Sequence, residues 1–374
     1  MFIVPKIAFT SFDFNCKVNK EIPVLSRYLV LAIFLLLFAA CTEKPKPIKA
    51  KSKSIKPNTE LHILCMDHFQ DQAKTLFSNF EKESGSKVIV HPVSTTFELI
   101  QYILSEADSI DLILGIDNSF SRELSIQNTF VQNTSLDMIS FFDEALIDKD
   151  LFLVPYAYSS LALVYDADWL DTAPESFGEL QDAQYYNQLG LCDPVQSSIG
   201  RACLHWSVAL FGEAGYQQLW RSLRKNVLYS YPSWQASLNG LKNGECKMIF
   251  GFIGTAAWNE SQAFSTLNLQ TTRLREGSFL YVETAAIPKN AKHKEAANSF
   301  IHYLLEPNSQ TLLSSKLGLF PVNNKATMPS SYLSLPYTSY TVNDRLRNID
   351  FTERQSEWLA FWNRMFYNTL SPAP

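Results

Sequence analysis

The feature that most limits the fold is an alternation of short apolar runs with segments of helical period, beginning at residue 60. Glu60 to Met66 (ELHILCM) reads as an apolar strand. Residues 70–84 place Ala73, Leu76, Phe77 and Phe80 at helical spacing, and Gly85 then stops the helix. Val88 to Val93 reads as a second strand and Phe97 to Leu104 as a helix. Asp111 to Ile116 (DLILGI) is a third strand, apolar enough to be buried on both faces. This order requires right-handed crossovers and a mostly parallel sheet covered by helices.

The pattern continues downstream. Leu151 to Tyr165 reads as two strand-like runs about a turn at Pro155, and residues 176–180 start a helix. Strands are expected at Leu189 to Asp193 and Lys247 to Phe252, with helices at Ser198 to Phe211 and Trp234 to Asn243. Residues 278–287 read as a strand that returns to the first lobe, followed by helices at 293–305, 309–315 and 352–368. No internal repeat is present. A body running from 60 to 374 is long enough to favour two lobes over one core.

Upstream, residues 28–40 (YLVLAIFLLLFAA) carry no charge, with Arg27 before them and Cys41 after. Bilayer crossing needs roughly 20 such residues, so this run fits the core of an export signal. Phe38-Ala39-Ala40-Cys41 resembles a bacterial lipobox, with Phe38 where leucine is usual. The resemblance implies that residues 1–40 are a lipoprotein signal peptide and that Cys41 carries a lipid. The other reading is an anchor helix with an incidental cysteine. Residues 42–59 hold six lysines and three prolines and cannot bury a core. With Cys41 they read as a tether, or else as a polybasic membrane patch.

The net charge is -5, with +2 on residues 1–40 and +5 on 41–59, which leaves -12 on the body. That balance does not suit nucleic acid and does suit a cationic ligand. Cys65, Cys192, Cys203 and Cys246 show no CxxC or zinc-type spacing. Cys192 and Cys203 either pair, as an exported chain permits, or are buried free thiols.

Ligands of open α/β sheets bind at the C-terminal ends of the strands. Here that rule selects Met66-Asp67-His68, Gly115 to Ser119, Pro155 to Ser160, Pro194 to Gly200 and Gly251 to Thr255. Several of these loops carry motifs: DLILGIDNSF at 111–120, FLVPYAYSSLALVYD at 152–166, CDPVQSSIG at 192–200 and SWQASLNGLKNGECKMIFGF at 233–252. EGSFLYVETAAI at 276–287, LFPVNN at 319–324 and ERQSEWLAFWNR at 353–364 complete the series. In order and spacing the series resembles the periplasmic thiamine-binding proteins of ABC importers, within the iron-, sulfate- and thiamine-type extracellular solute-binding proteins. Four departures stand out. Met66 and Phe252 replace tyrosines, Trp258 replaces another, and an aromatic is lost near Gly318.

The resemblance implies a two-lobed periplasmic-binding-protein fold of type II. Each lobe is a mixed, mostly parallel sheet flanked by helices, with the ligand cleft between them. Residues 60–157 and 284–374 would form lobe 1, and 158–283 lobe 2. It also implies a monomer facing the periplasm that delivers thiamine, or its mono- or diphosphate, to a membrane permease and its ATPase by hinge closure. No cofactor or metal is expected.

Thiamine needs aromatic walls for its thiazolium and pyrimidine, a carboxylate for its charge, and polar donors for its hydroxyethyl or phosphate arm. The candidates for the walls are Trp234, Phe252, Trp258 and Tyr158, with Met66 beside them; by resemblance Trp234 and Phe252 come first. Each could equally be core packing. Asp67 and Asp117 are the candidate charge partners, or helix N-caps. Asn118 either reads the pyrimidine edge or holds a turn. Glu283 is a ligand contact or, in the preferred reading, a hinge ion pair. Ser197, Ser198 and Gly200 precede a helix and are placed to hold an anion, or simply to cap it.

Three other functions compete with this reading. For an enzyme there is no GxSxG, HExxH, GxxxxGK[ST] or GxGxxG motif. A binder of another cation, a polyamine or ferric iron, is the main alternative; Tyr229 and Tyr231 alternate in a strand as an iron site would need, but no second acidic or histidine ligand stands beside them. The third rival is an adhesive surface lipoprotein.

Overall fold

The computed structural model describes residues 59–105, 109–138, 140–262, 265, 267–333, 335 and 341–366. The apolar run, Cys41 and the tether lie outside them. Among the described residues no helix is long and apolar enough to cross a membrane.

Two sheets share one long strand, β4 (Val154–Asp166). The first half of β4, to Ser160, pairs with β9 (Leu280–Ala286). That sheet continues through β3 (Leu112–Asp117) and β1 (Glu60–Met66) to β2 (Lys87–Val93), with β1 parallel to both neighbours. From Leu161 onward β4 pairs instead with β7 (Met248–Phe252) and β8 (Leu269–Thr272). Beyond β7 lie β5 (Leu189–Cys192) and β6 (Val227–Tyr231), all three parallel. A short β10 (Phe320–Pro321) pairs with β4. β4 is therefore one continuous strand. Pro155, expected to turn the chain, sits beside a bulge between Pro155 and Ala157, which accommodates a residue with no N–H to donate.

Helices cover both faces of the first sheet. The expected helix at 70–84 is two helices, α1 (Asp67–Gln72) and α2 (Lys74–Ser84), broken where Ala73 leaves helical geometry. Phe77 and Phe80 of α2 pack on Phe300, with centroids 5.9 Å and 4.9 Å apart. On the opposite face α3 (Thr96–Leu104) buries Leu99, Ile100 and Ile103 against Leu64, Ile113 and Ile116. β3 lies between these layers with all six residues buried, as its sequence demands. Thr95 caps α3 by accepting from the Glu98 N–H at 3.1 Å. Thr95→Ala should lower stability by about 1 kcal/mol, read as a lower urea midpoint at unchanged slope.

The second sheet is covered by α4 (Ser198–Leu223) and α5 (Trp234–Lys242). The first helical stretch of α4 ends at Phe211, as expected: Gly212 leaves helical geometry (φ 69°), and a second stretch continues beyond the kink to Leu223. The shorter α6 (Thr255–Glu260) follows β7. After β9 come α7 (Lys294–Leu304), α8 (Pro307–Leu317) and α9 (Phe351–Phe366). α9 packs on α4, with Trp362 edge-on to Trp220 at 4.9 Å and the Trp358 indole donating to Glu213 at 3.0 Å, and it also reaches the segment after β3, where Gln355 donates to Glu123 and the Arg122 guanidinium lies 4.1 Å over the Phe351 ring. Its apolar face needed a partner, and α4 offers the aromatic one. The four body cysteines are buried free thiols, so Cys192 and Cys203 are not paired.

Candidate functional site

Strand ends and helix starts from both sheets converge on a cleft of two adjoining chambers. The free space within them is about 30 Å³ and about 40 Å³, and both open to solvent. The inner one is walled by Met66, Thr96, Ser197, Ser198, Ser233 and Tyr281. The outer one is walled by Gln72, Gln235, Thr255, Trp258 and Gly318. His68, Trp234, Phe252 and Glu283 line both, and so mark the junction. A wider recess beyond Trp258 carries Asp67 and Asp71.

The junction is aromatic. Trp234 opens α5, where Ser233 accepts from the Ala236 N–H at 3.2 Å. Its ring lies 5.7 Å from Phe252, and Phe252 lies 4.9 Å from Tyr281. Tyr281 and Glu283 alternate along β9, so both side chains leave the same face of the strand. Glu283 does not form the hinge ion pair expected of it. Its carboxylate accepts from the Tyr156 hydroxyl at 2.7 Å and the Tyr281 hydroxyl at 3.1 Å. Burial pushes its pKa upward, opposed by Tyr156 and the charge of His68. Among the described residues no lysine or arginine pairs with it.

Other expected residues stand elsewhere. Asp67 lies in the outer recess, its pKa lowered chiefly by a hydrogen bond from His68. Asp117 is fully buried behind the inner chamber, where its carboxylate accepts from the Ser119 N–H at 2.8 Å, the Ser119 hydroxyl and the Ser198 hydroxyl at 2.7 Å. Burial raises its pKa against those bonds. Asn118 binds the backbone of β9 through both ends of its amide, donating to Leu280 O at 2.8 Å and accepting from Val282 N at 3.0 Å. Tyr158 is stacked between Phe142 and Phe320, away from both chambers. Gly200 faces the carbonyls of Cys192 and Asp193, where a Cβ would come within 2.7 Å of both; its role is close packing of α4 on β5. Ser197 stands at the N-cap position without a side-chain capping bond, so its hydroxyl is not engaged in capping.

Tyr281, Gln235 and Thr96 are absent from the sequence candidates, and His68 enters there only as part of its loop. Tyr281 was legible, since it stands two residues before Glu283 in a strand. The others come from helix starts whose facing depends on tertiary packing. The departures at 258 and 318 are coupled. Gly318 ends α8 in the left-handed region (φ 73°), and a Cβ there would lie 3.0 Å from the Trp258 side chain. Trp258 occupies the space an aromatic near 318 would need, with its indole N–H donating to Lys316 O at 2.8 Å.

The family model of the bacterial extracellular solute-binding proteins matches residues 75–336. The chain belongs to that family. It is 26% identical over 292 residues to the thiamine-binding periplasmic protein of Brucella abortus, covering 76% of this chain and 86% of that one. It is 23% identical over 279 residues to the putrescine-binding periplasmic protein PotF of Escherichia coli, covering 67% and 75%. A solved periplasmic thiamin binding protein superposes with a TM-score of 0.71 at 21% identity, covering 82% of this chain and 96% of that one. This last likeness is one of fold: the two-lobed, mixed α/β architecture of periplasmic binding proteins.

Proposed function

We propose that this solute-binding protein captures thiamine, or its mono- or diphosphate, and delivers it to an ABC permease and its ATPase. The observation that carries the reading is Glu283, a carboxylate with no lysine or arginine partner among the described residues, set between Trp234, Phe252 and Tyr281. A flat cation meets both needs of that junction: the carboxylate balances its charge, and the rings stack on its faces. The hydroxyl-lined inner chamber (Thr96, Ser197, Ser198, Ser233) suits the hydroxyethyl or phosphate arm. The similarity to the Brucella thiamine-binding protein supports the same ligand. In this reading the protein is an exported monomer, held to a bacterial membrane by a lipid on Cys41 and facing the periplasm. It uses no cofactor. Its lobes, 60–157 with 284–374 and 158–283, close on the ligand.

A polyamine is the second reading. It is favoured by Asp67 and Asp71, which add carboxylates along the outer recess beside Trp258, and by the similarity to PotF. Ferric iron is less well served. Tyr231 donates its hydroxyl to Glu245 at 2.9 Å, and neither Tyr229 nor Tyr231 lines the chambers. Isothermal titration of the purified protein, freed of carried-over ligand, with thiamine, its two phosphates, spermidine and ferric citrate decides among these. Heat with at least one thiamine form and none with the others is expected. Silence with every thiamine form on folded protein overturns the proposal.

A further inference from the structure

The back of the inner chamber is a seam between the two sheets. From the first sheet come the start of α3 and the end of β3; from the second comes the start of α4. Thr96 and Ser198 face each other with their hydroxyl oxygens 2.7 Å apart, and the Ser198 N–H donates to Thr96 Oγ1 at 3.2 Å. The Ser198 hydroxyl donates to Asp117 Oδ2 at 2.7 Å, so the Thr96 hydroxyl is the donor to Ser198. Beside them the Phe97 N–H donates to Gln196 O at 3.1 Å. A turn further along α4, Arg201 pairs with Glu123, which also accepts from Gln355 of α9. The Arg201 guanidinium lies 4.1 Å over the Phe120 ring.

Asp117 is the anchor of this chain of donors. It is fully buried and lines neither chamber, and among the described residues it forms no ion pair, although the charge of Arg201 acts on it from along α4. A buried carboxylate is retained at a cost unless its acceptors are filled, and one of its partners here, Ser198, comes from the opposite sheet. We propose that Asp117 is a positioning residue of the binding cycle: it fastens Ser198 across the seam and so holds the inner chamber closed without touching the ligand. The inference rests on the solute-binding fold and is independent of which solute binds.

The test therefore needs no ligand. Phe97→Cys and Gln196→Cys, introduced together into the full chain, report closure of the seam by the rate at which a mild oxidant links them. The four body thiols are buried, and the parent chain without the pair gives the background. Asp117→Asn and Thr96→Val, each added to the pair, should slow linkage about fivefold, as loss of one or two hydrogen bonds implies. Thr96→Ser keeps the hydroxyl and should link at the parent rate. If Asp117→Asn fails to fold, Thr96→Val against Thr96→Ser still decides. Equal rates in Thr96→Val and Thr96→Ser overturn the proposal, whatever ligand the titrations above identify.

Discussion

Glu283→Gln should weaken binding of a cationic ligand by thirtyfold or more while making the ligand-free protein more stable. The two effects have one cause. A carboxylate about 4 Å from a positive charge gains several kcal/mol in a partly desolvated site, of which about 2–3 kcal/mol remains after the ligand's own desolvation. Without ligand the same carboxylate is a burden. Its folded-state pKa is raised above the usual glutamate value by burial. A raised carboxyl pKa means that the folded chain holds a proton the unfolded chain has released. Stability from this group is therefore full below the unfolded value and is lost as pH rises through the folded one. Glutamine keeps the two tyrosine hydroxyls within reach and removes that loss, so the melting temperature of the ligand-free variant should rise at neutral pH. Binding must show the mirror image. Wild-type affinity should fall as pH drops through the raised Glu283 value, because a neutral carboxyl no longer attracts the cation. Glu283→Gln should lose this part of the profile. Titration calorimetry across pH, with thermal melts of both proteins, checks all three outcomes. A variant that binds as tightly as wild type removes Glu283 from the site.

Much of this site was legible before the structure, for identifiable reasons. β3 and β9 are read from their residues because a strand buried on both faces tolerates little but apolar side chains, which makes the exception at Glu283 conspicuous. The C-terminal-end rule selected loops that do supply Met66, His68, Ser197, Ser198, Phe252 and Thr255 to the walls. It also selected Pro155 to Ser160, which supplies none of the residues named in either chamber, because β4 runs straight through that stretch from one sheet to the other. Asp117 and Glu283 look alike in sequence, each a carboxylate at or in an apolar strand. Register does not separate them, since Asp117 and Glu283 are cross-strand partners. Their hydrogen-bond partners do: Ser119 and Ser198 for Asp117, Tyr156 and Tyr281 for Glu283. Helix facing was the least legible layer. The break at Ala73 and the docking of α9 on α4 both follow from tertiary packing overriding local pattern.

Trp234→Ala should weaken binding by more than tenfold and leave the fold intact. Trp234 lines both chambers, as His68, Phe252 and Glu283 do, so a ligand spanning the junction meets its indole. Removing it deletes a stacking face and a cation–π contact, the latter worth on the order of 0.5–2 kcal/mol, together with the apolar area the ring buries against the ligand. The fold should survive because Trp234 is only partly buried and stands at the first position of α5. That helix keeps its Ser233 cap and its anchors Leu238 and Leu241. Trp234→Phe provides the contrast. It retains a face for stacking, so it should lose only a few-fold, whereas a purely structural role would make the two variants differ in melting temperature rather than in affinity. Quenching of tryptophan fluorescence by the ligand gives an independent reading: it should be large in wild type and much reduced in both variants. Unchanged affinity in Trp234→Ala would take the indole out of the site and leave Phe252 and Tyr281 as its aromatic walls.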